Sequence, residues 1–408
     1  MSLSLKEVIK KYPEFPPLIA IKIDAQRRGV YYSKQALEVL NEEKHQIRGS
    51  TLFGARDAKL TPVPESLVLR DGTILLTDST PLEQNPYIVD VIDGKLGLTD
   101  NGEFIESVEY WPRPAYYGKV TESGKLMEHV VTVRPQRLQV MPSSYCHFWT
   151  NEQGCKYCDI VNHLKDQKNE LGINPKLKPQ EVAEVIKEAL KQPGRFSSIC
   201  LTAGSDTRGM EPFDEEVDYY IAILKEIGKL FRTERFPSQL IGTAFQENQL
   251  RRLYEETGLT SYTADIEVLN EELFNWICPG KAEWIGYQEW KRRLIKAVDI
   301  FGRGNVNTGI VAGVEFAKPY GFTDEEKALQ AVLGEARDLA EHGVSTVYVV
   351  WIPRPHSYFH DQKNASLEYY VRLAKGLHDL RAEYDLPVDF DDYRRCGNHP
   401  DTDLTRII

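Results

Sequence analysis

No run of about eighteen apolar residues, the length that spans a bilayer, occurs in the 408-residue chain. The charged opening Met1 to Lys11 lacks the apolar stretch of a secretory signal. Neither a membrane span nor a leader peptide is expected. Cationic charge is in deficit, with 50 Lys and Arg against 61 Asp and Glu and a formal net charge of −11. That sign argues against broad contact with nucleic-acid phosphates. Cysteine is sparse, six in all, too few for a disulfide scaffold. Gly-x-Gly-x-x-Gly follows none of the strand-like runs, which weakens a dinucleotide reading. Long-period repeats and low-complexity tracts are also missing. With 41% apolar and 27% charged residues, however, the chain can bury a sizeable core. The expectation is a soluble cytoplasmic protein with one large α/β domain and an appendage, or two domains.

Residues 1–133 read as a small α+β domain of unassigned role. Ser33 to His45 carries Leu37 and Leu40 at helical spacing. Short β-runs then alternate with the turn signals Asp93-Gly94, Asn101-Gly102 and Ser123-Gly124. From residue 134 to 385 strand and helix alternate six times. The strands are expected at Leu138 to Met141, Ser198 to Thr202, Leu240 to Phe245, Ser261 to Val268, Val306 to Val314 and Val344 to Ile352. Amphipathic helices are expected between them; Lys178 to Gln192 carries Val182, Val185, Ile186 and Leu190 on one stripe behind Pro179. Such alternation implies a parallel sheet with helical crossovers, either a barrel or an open doubly wound sheet. In a barrel the chemistry lies at the carboxyl ends of the strands. Residues 386–408 form a C-terminal extension, more readily a surface segment than part of a site.

The first β/α strand leads directly into Cys146-His-Phe-Trp-Thr-Asn-Glu-Gln-Gly-Cys155-Lys-Tyr-Cys158, a C-x8-C-x2-C spacing. Clustered thiols outside a disulfide scaffold point to metal or redox chemistry. A cubane iron–sulfur cluster is usually held by four cysteines, so three leave one iron open to a substrate. The rival is a non-catalytic, zinc-stabilised binding protein with His147 or His163 as fourth ligand; zinc sites usually pair two x2-type knuckles, and only one is present.

On this loop, with Tyr157 just before its last cysteine and a (β/α)6 pattern around it, the chain resembles the radical S-adenosylmethionine (SAM) superfamily, in its biotin-synthase-like form. The common superfamily spacing is C-x3-C-x2-C, so five residues are added between the first two cysteines. The resemblance implies a partial (β/α)6 TIM-like barrel with the small α+β domain ahead of it. It implies that Cys146, Cys155 and Cys158 hold a [4Fe–4S] cluster whose open iron binds SAM, with Tyr157 beside it. The turn Thr202-Ala203-Gly204-Ser205 resembles the Gly-Gly-Glu-like turn that receives the SAM amino group. Asp265 and Glu267 resemble the pair that binds the ribose; spaced i and i+2, they share one face of a strand, although either also suits a cap on the next helix.

Gly309 to Glu315 resembles the G-x-I-x-G-x-x-E strand that packs on adenine, here through Val311, with its acid one place early. A plain barrel bend explains those glycines equally well. Arg293 is a candidate partner for the SAM carboxylate, on a helix face that also suits solvent. Trp351, Arg354 and His356 suit substrate contact or rim packing. Among the remaining cysteines, Cys200 suits a buried apolar position, Cys278 lies in a loop, and Cys396 sits among potential cations as a candidate hydrogen or proton donor. No second cysteine cluster and no D-x-H-x-x-G cobalamin signature is present. The resemblance thus implies a single-cluster enzyme acting on a small molecule, served by a low-potential electron donor of flavodoxin or ferredoxin type.

Overall fold

The computed structural model describes residues 2–47, 62–76, 78–143, 145–160, 176–354, 356–386 and 397–407. The first sheet is built from β1 (Val30–Tyr32), β2 (Leu67–Leu69), β3 (Ile74–Leu75), β4 (Tyr87–Ile92), β5 (Lys95–Asp100) and β6 (Glu103–Tyr110). Its order is β1-β4-β5-β6-β2-β3, with β4, β5 and β6 joined as antiparallel neighbours. The turn at Asp93-Gly94, both at positive φ, links β4 to β5 as the Asp-Gly pair predicts.

The expected helix at Ser33 to His45 is shorter, Lys34–Glu38. Ser33 caps its start, but the Asn41 side chain accepts from the backbone N–H groups of Glu43 and Lys44 at 2.9 and 3.2 Å. That local turn competes with further helical hydrogen bonding. Helices Leu5–Lys11 and Pro17–Arg28 precede this sheet, and the second packs against the C-terminal helices.

The second sheet contains β7 (Thr132–Arg134), β8 (Arg137–Val140), β9 (Ser198–Thr202), β10 (Ser238–Ile241), β11 (Ser261–Thr263), β12 (Val306–Ala312) and β13 (Val344–Val350). Its order follows the chain, β7 to β13, with β8 to β13 all parallel and β7 antiparallel at the edge. Helices Pro179–Ala189, Asp214–Gly228, Glu247–Glu256, Tyr287–Phe301 and Glu325–Glu341 make the crossovers, and Leu367–Glu383 follows β13. Right-handed crossovers between successive neighbours place every helix on the same side of the sheet. The opposite face then has no helical layer and curls around its own side chains, giving a partial (β/α)6 TIM-like barrel. Val182, Val185, Ile186 and Ala189 bury the stripe of the first crossover helix.

The C-terminal segment is not a surface extension. Helix Pro400–Ile407 buries Asp401, Thr402, Asp403 and Leu404. Arg381 donates to Asp401 at 2.7 Å, and Lys22 donates to Asp403 at 2.6 Å with both side chains wholly buried. Among the described residues, no helix is long and apolar enough to cross a membrane.

Removing one member of a buried ion pair strands the other charge in a low-dielectric interior, at about 3–5 kcal/mol. Lys22→Met is therefore expected to lower the free energy of urea unfolding by that amount, and the double variant Lys22→Met/Asp403→Leu to recover most of it. Equal unfolding midpoints for wild type and the single variant would contradict the pairing.

Candidate functional site

The cysteine loop leaves the carboxyl end of β8. Cys146 is extended and starts a single helical turn, His147–Thr150. Phe148 of that turn is buried, and its carbonyl accepts from Gln153 N–H at 2.7 Å, folding the chain back toward Cys155. Cys158 N–H then donates to the Cys155 carbonyl at 3.0 Å, closing a tight Cys-Lys-Tyr-Cys turn. The residues between the first two cysteines are thus a compact, hydrogen-bonded turn.

All three thiols are half-buried and lie within electrostatic reach of one another. Burial pushes Cys146 and Cys158 up, and the neighbouring Cys155 sulfur adds to this. Cys155 moves down, chiefly because Cys278 hydrogen-bonds to it, with the Lys281 ammonium and Tyr157 also contributing. A thiol biased toward thiolate is the better metal ligand. Among the described residues, no three His, Cys, Asp or Glu side chains are grouped to hold one ion. Both ring nitrogens of His147 are engaged, Nδ1 by the Tyr145 hydroxyl at 3.2 Å and Nε2 by the Asn151 amide at 3.0 Å. His163 lies outside the described residues.

The turn after β9 supports the loop from below. A Cβ at Gly204 would fall 2.4 Å from Cys146 Cβ and 2.6 Å from the Tyr145 carbonyl, so no larger residue fits this approach. Ser205 accepts His147 N–H on its carbonyl at 2.8 Å. The Thr243 hydroxyl stands 2.7 Å from Ser205 Oγ and 3.1 Å from Glu216 Oε2. Glu216 also accepts Asp206 N–H at 2.8 Å. Burial pushes its carboxyl up to about 8. Ala203 and Gly204 line a smaller cavity of about 310 Å³ with Tyr145, Asp206 and Arg208, while Thr202 lines the barrel cavity.

Asp265 and Glu267 reach that barrel cavity by a different route from the expected strand. β11 ends at Thr263, and Glu267 adopts φ +70. The backbone rejoins the sheet at one point, Glu267 N–H donating to Gly309 O at 3.1 Å and Val311 N–H to Glu267 O at 2.8 Å. Asp265 accepts Gly309 N–H at 2.8 Å. Lys281 Nζ donates to the Asp265 carbonyl at 2.7 Å and to Glu267 Oε1 at 2.6 Å. Burial pushes the Glu267 carboxyl up, while Lys281 and the nearby Tyr157 pull it down, which links the cysteine loop to this turn. The next helix is capped by Asn270, which accepts Leu273 N–H at 3.0 Å, so neither acid serves as its cap.

A cavity of about 400 Å³ fills the curled face of the sheet. Thr202, Asp265, Glu267 and Val311 line it together with Asp159, the residue after Cys158. Arg293 is not among its lining residues; it donates to Glu289 at 2.7 Å and to the Ala244 carbonyl at 2.9 Å. Glu315 is buried behind β12 against Tyr369 and Gly313 N–H. Trp351 is buried, His356 is exposed, and Arg354 lines the cavity while pairing with Asp78 of the first domain. Cys396 lies outside the described residues.

Sequence reasoning missed Gln26, Asp78, Arg134, Arg137, Asn398 and His399, which also line the cavity. Arg137 and Gln139 carried a readable signal: polar side chains at i and i+2 in an otherwise apolar strand. Arg137 donates to Gln239 at 2.8 Å, and Gln239 to Thr263 at 2.9 Å, a polar chain across the barrel interior.

No protein-family model matches the chain, and no curated protein matches it. Solved structures similar to it include a crystal structure of methylornithine synthase (PylB), 18% identical over 63% of this chain and 72% of that one, with a TM-score of 0.42. Another is a crystal structure of a radical SAM methyltransferase from Sphaerobacter thermophilus, 16% identical over 98% of both chains, with a TM-score of 0.41. Both likenesses are distant.

Glu216 gives a pH test of the turn that supports Cys146. Its unfolded carboxyl titrates near 4.5 and its folded one near 8, so the folded state holds the extra proton between those values. That stability is fully present below about pH 4.5 and falls away as pH rises to 8. Melting temperatures of wild type and Glu216→Gln should diverge across this range in favour of the variant, and run parallel above it. A difference independent of pH would rule the assignment out.

Proposed function

We propose that the chain is a radical SAM enzyme, with Cys146, Cys155 and Cys158 holding a [4Fe–4S] cluster. The observation that carries this reading is the placement of three thiols on one loop, at the carboxyl end of the first parallel strand, beside a cavity bearing Asp159, Asp265 and Glu267. The donor set fits the group. In a cubane each thiolate takes its own iron, whereas a tetrahedral zinc needs four ligands about 2.0–2.3 Å from one point. His147, the histidine that the sequence offers as a fourth zinc ligand within the described residues, has both nitrogens engaged. Three thiolates also leave one coordination position for a ligand.

When bound, the cluster supplies one low-potential electron to SAM, which parts into methionine and a 5′-deoxyadenosyl radical that takes a hydrogen atom from the substrate. The chain's own residues position and protect. Thr202, Ala203, Gly204 and Ser205 offer main chain close to Cys146 for the SAM amino group. Asp265 and Glu267 face the ribose, and Val311 and Tyr157 flank the adenosyl portion. Cys396 is assigned as hydrogen or proton donor.

Ile241, Ile310, Val347, Val349 and Ile352 form an apolar part of the cavity wall, of the kind that shields a reactive intermediate from side reactions. Their own C–H bonds are within a radical's chemistry, so a substrate must be held closer to it than they are. The substrate is a small molecule, the electron donor is of flavodoxin or ferredoxin type, and the setting is the cytoplasm, without membrane or nucleic-acid partners.

Protein reconstituted without oxygen is expected to bind about four irons per chain and, with SAM and a strong reductant, to release 5′-deoxyadenosine. Cys155→Ala should abolish that release. Full release by the variant, or a colourless wild type carrying one zinc, would overturn the reading.

A further inference from the structure

With Cys200, Cys278 is one of two thiols that the proposed chemistry leaves unused. Cys278 is wholly buried at the junction of helices Glu271–Ile277 and Pro279–Trp284. Its backbone is fixed on both sides, its N–H donating to Phe274 O at 2.8 Å and its carbonyl accepting Ala282 N–H at 3.0 Å. Two further backbone bonds cross from this junction to the cysteine loop. Lys156 N–H donates to Ile277 O at 2.9 Å, and Gly280 N–H donates to Gln153 O at 3.1 Å. Residues on either side of Cys278 are therefore joined to residues on either side of Cys155. Gly280 also presses on Phe148, where a Cβ would lie 2.5 Å from the ring. Within this clamp the Cys278 side chain stands beside that of Cys155, within electrostatic reach of it.

We infer that Cys278 is a positioning residue for the cluster, whose S–H donates to the Cys155 sulfur while that sulfur ligates iron, and thereby raises the cluster's reduction potential. The inference rests on the radical SAM reading of the site. A donor to a ligating sulfur draws electron density away from it, and this favours the reduced cluster, which carries one more negative charge. Cys200 in β9 is also wholly buried; Cys278 differs in standing beside a proposed cluster ligand.

The test compares wild type with Cys278→Ala, Cys278→Val and Cys278→Ser after reconstitution with iron and sulfide. It reads iron content, far-UV circular dichroism and the cluster midpoint potential in the absence of SAM. Valine keeps the apolar volume without a donor, and serine restores a donor. The expected result is full iron in all four proteins, a midpoint shifted to more negative potential in the alanine and valine variants, and a smaller shift in the serine variant. Midpoints for alanine and valine equal to wild type would overturn the inference, as would a serine variant as shifted as alanine. Loss of iron from folded alanine and valine variants would make Cys278 a ligand and also overturn it. A folded wild type that takes up no iron would instead sink the reading of the site on which the inference stands.

Discussion

The site is tied together by one buried ammonium. Lys281 reaches back from its short helix to the Asp265 carbonyl and the Glu267 carboxylate, and packs over the Trp290 ring at 4.6 Å. Burial alone would lower its affinity for a proton, but Glu267 and the nearby thiols outweigh this and keep it cationic. Taking both charges out of water is expensive, and good geometry with further hydrogen bonds is what offsets it. Those further bonds are present: Gly309 N–H donates to Asp265 and Trp290 Nε1–H to Ala264 O, with Tyr157 close to Glu267. Through this one charge the turn after β11, the helix Pro279–Trp284 and the cysteine loop become a single unit.

Much of the barrel was legible because period-two and period-3.6 patterns report local geometry, and consecutive β/α units need no long-range information to be placed in order. The run Tyr262 to Val268 shows the limit. Its alternation reads as one strand, and the inward placement of Asp265 and Glu267 follows from that reading. The backbone instead leaves the strand after Thr263 and turns through Glu267 at φ +70. Both routes deliver two carboxylates to the cavity, so the pattern predicted where the side chains point without predicting the path. What selects the turn is Lys281 and Gly309, residues far along the chain that no local window contains. The same reasoning explains Ser33 to His45, where the apolar spacing was real but a side-chain turn at Asn41 ended the helix early.

The first domain and the C-terminal segment were opaque for a different reason. A six-unit partial barrel leaves its curled face incompletely covered, and the covering comes from both ends of the chain. Gln26 donates to the carbonyls of Leu76 and Gly397 at 3.4 and 2.8 Å, while Asp78 pairs with Arg354. Beneath them Lys22–Asp403 and Arg381–Asp401 bind the terminal helix to the barrel and to helix Pro17–Arg28. Gln26, Asp78, Asn398 and His399 thus meet in one cavity wall although more than 300 residues separate the first from the last. Nothing in the sequence around Gln26 marks it, since a glutamine on an amphipathic helix is ordinary; only the fold gives it a partner.

The long cysteine spacing and the Cys278-Pro279-Gly280 junction explain each other. One helical turn of four residues closes too few hydrogen bonds to be stable alone, so His147–Thr150 must be held from outside. Phe148 supplies the apolar face, Gly280 is the residue small enough to meet it, and the Gln153 carbonyl takes the Gly280 N–H. His147 stacks edge-on against Trp284 at the far end of the same helix. Pro279 occupies the first helical position, where its missing N–H costs nothing, and it lets the chain restart a helix directly after Cys278. The eight residues between the first two cysteines are therefore accommodated by a matching break in the helices after β11, and that break is what brings a fourth thiol beside the loop.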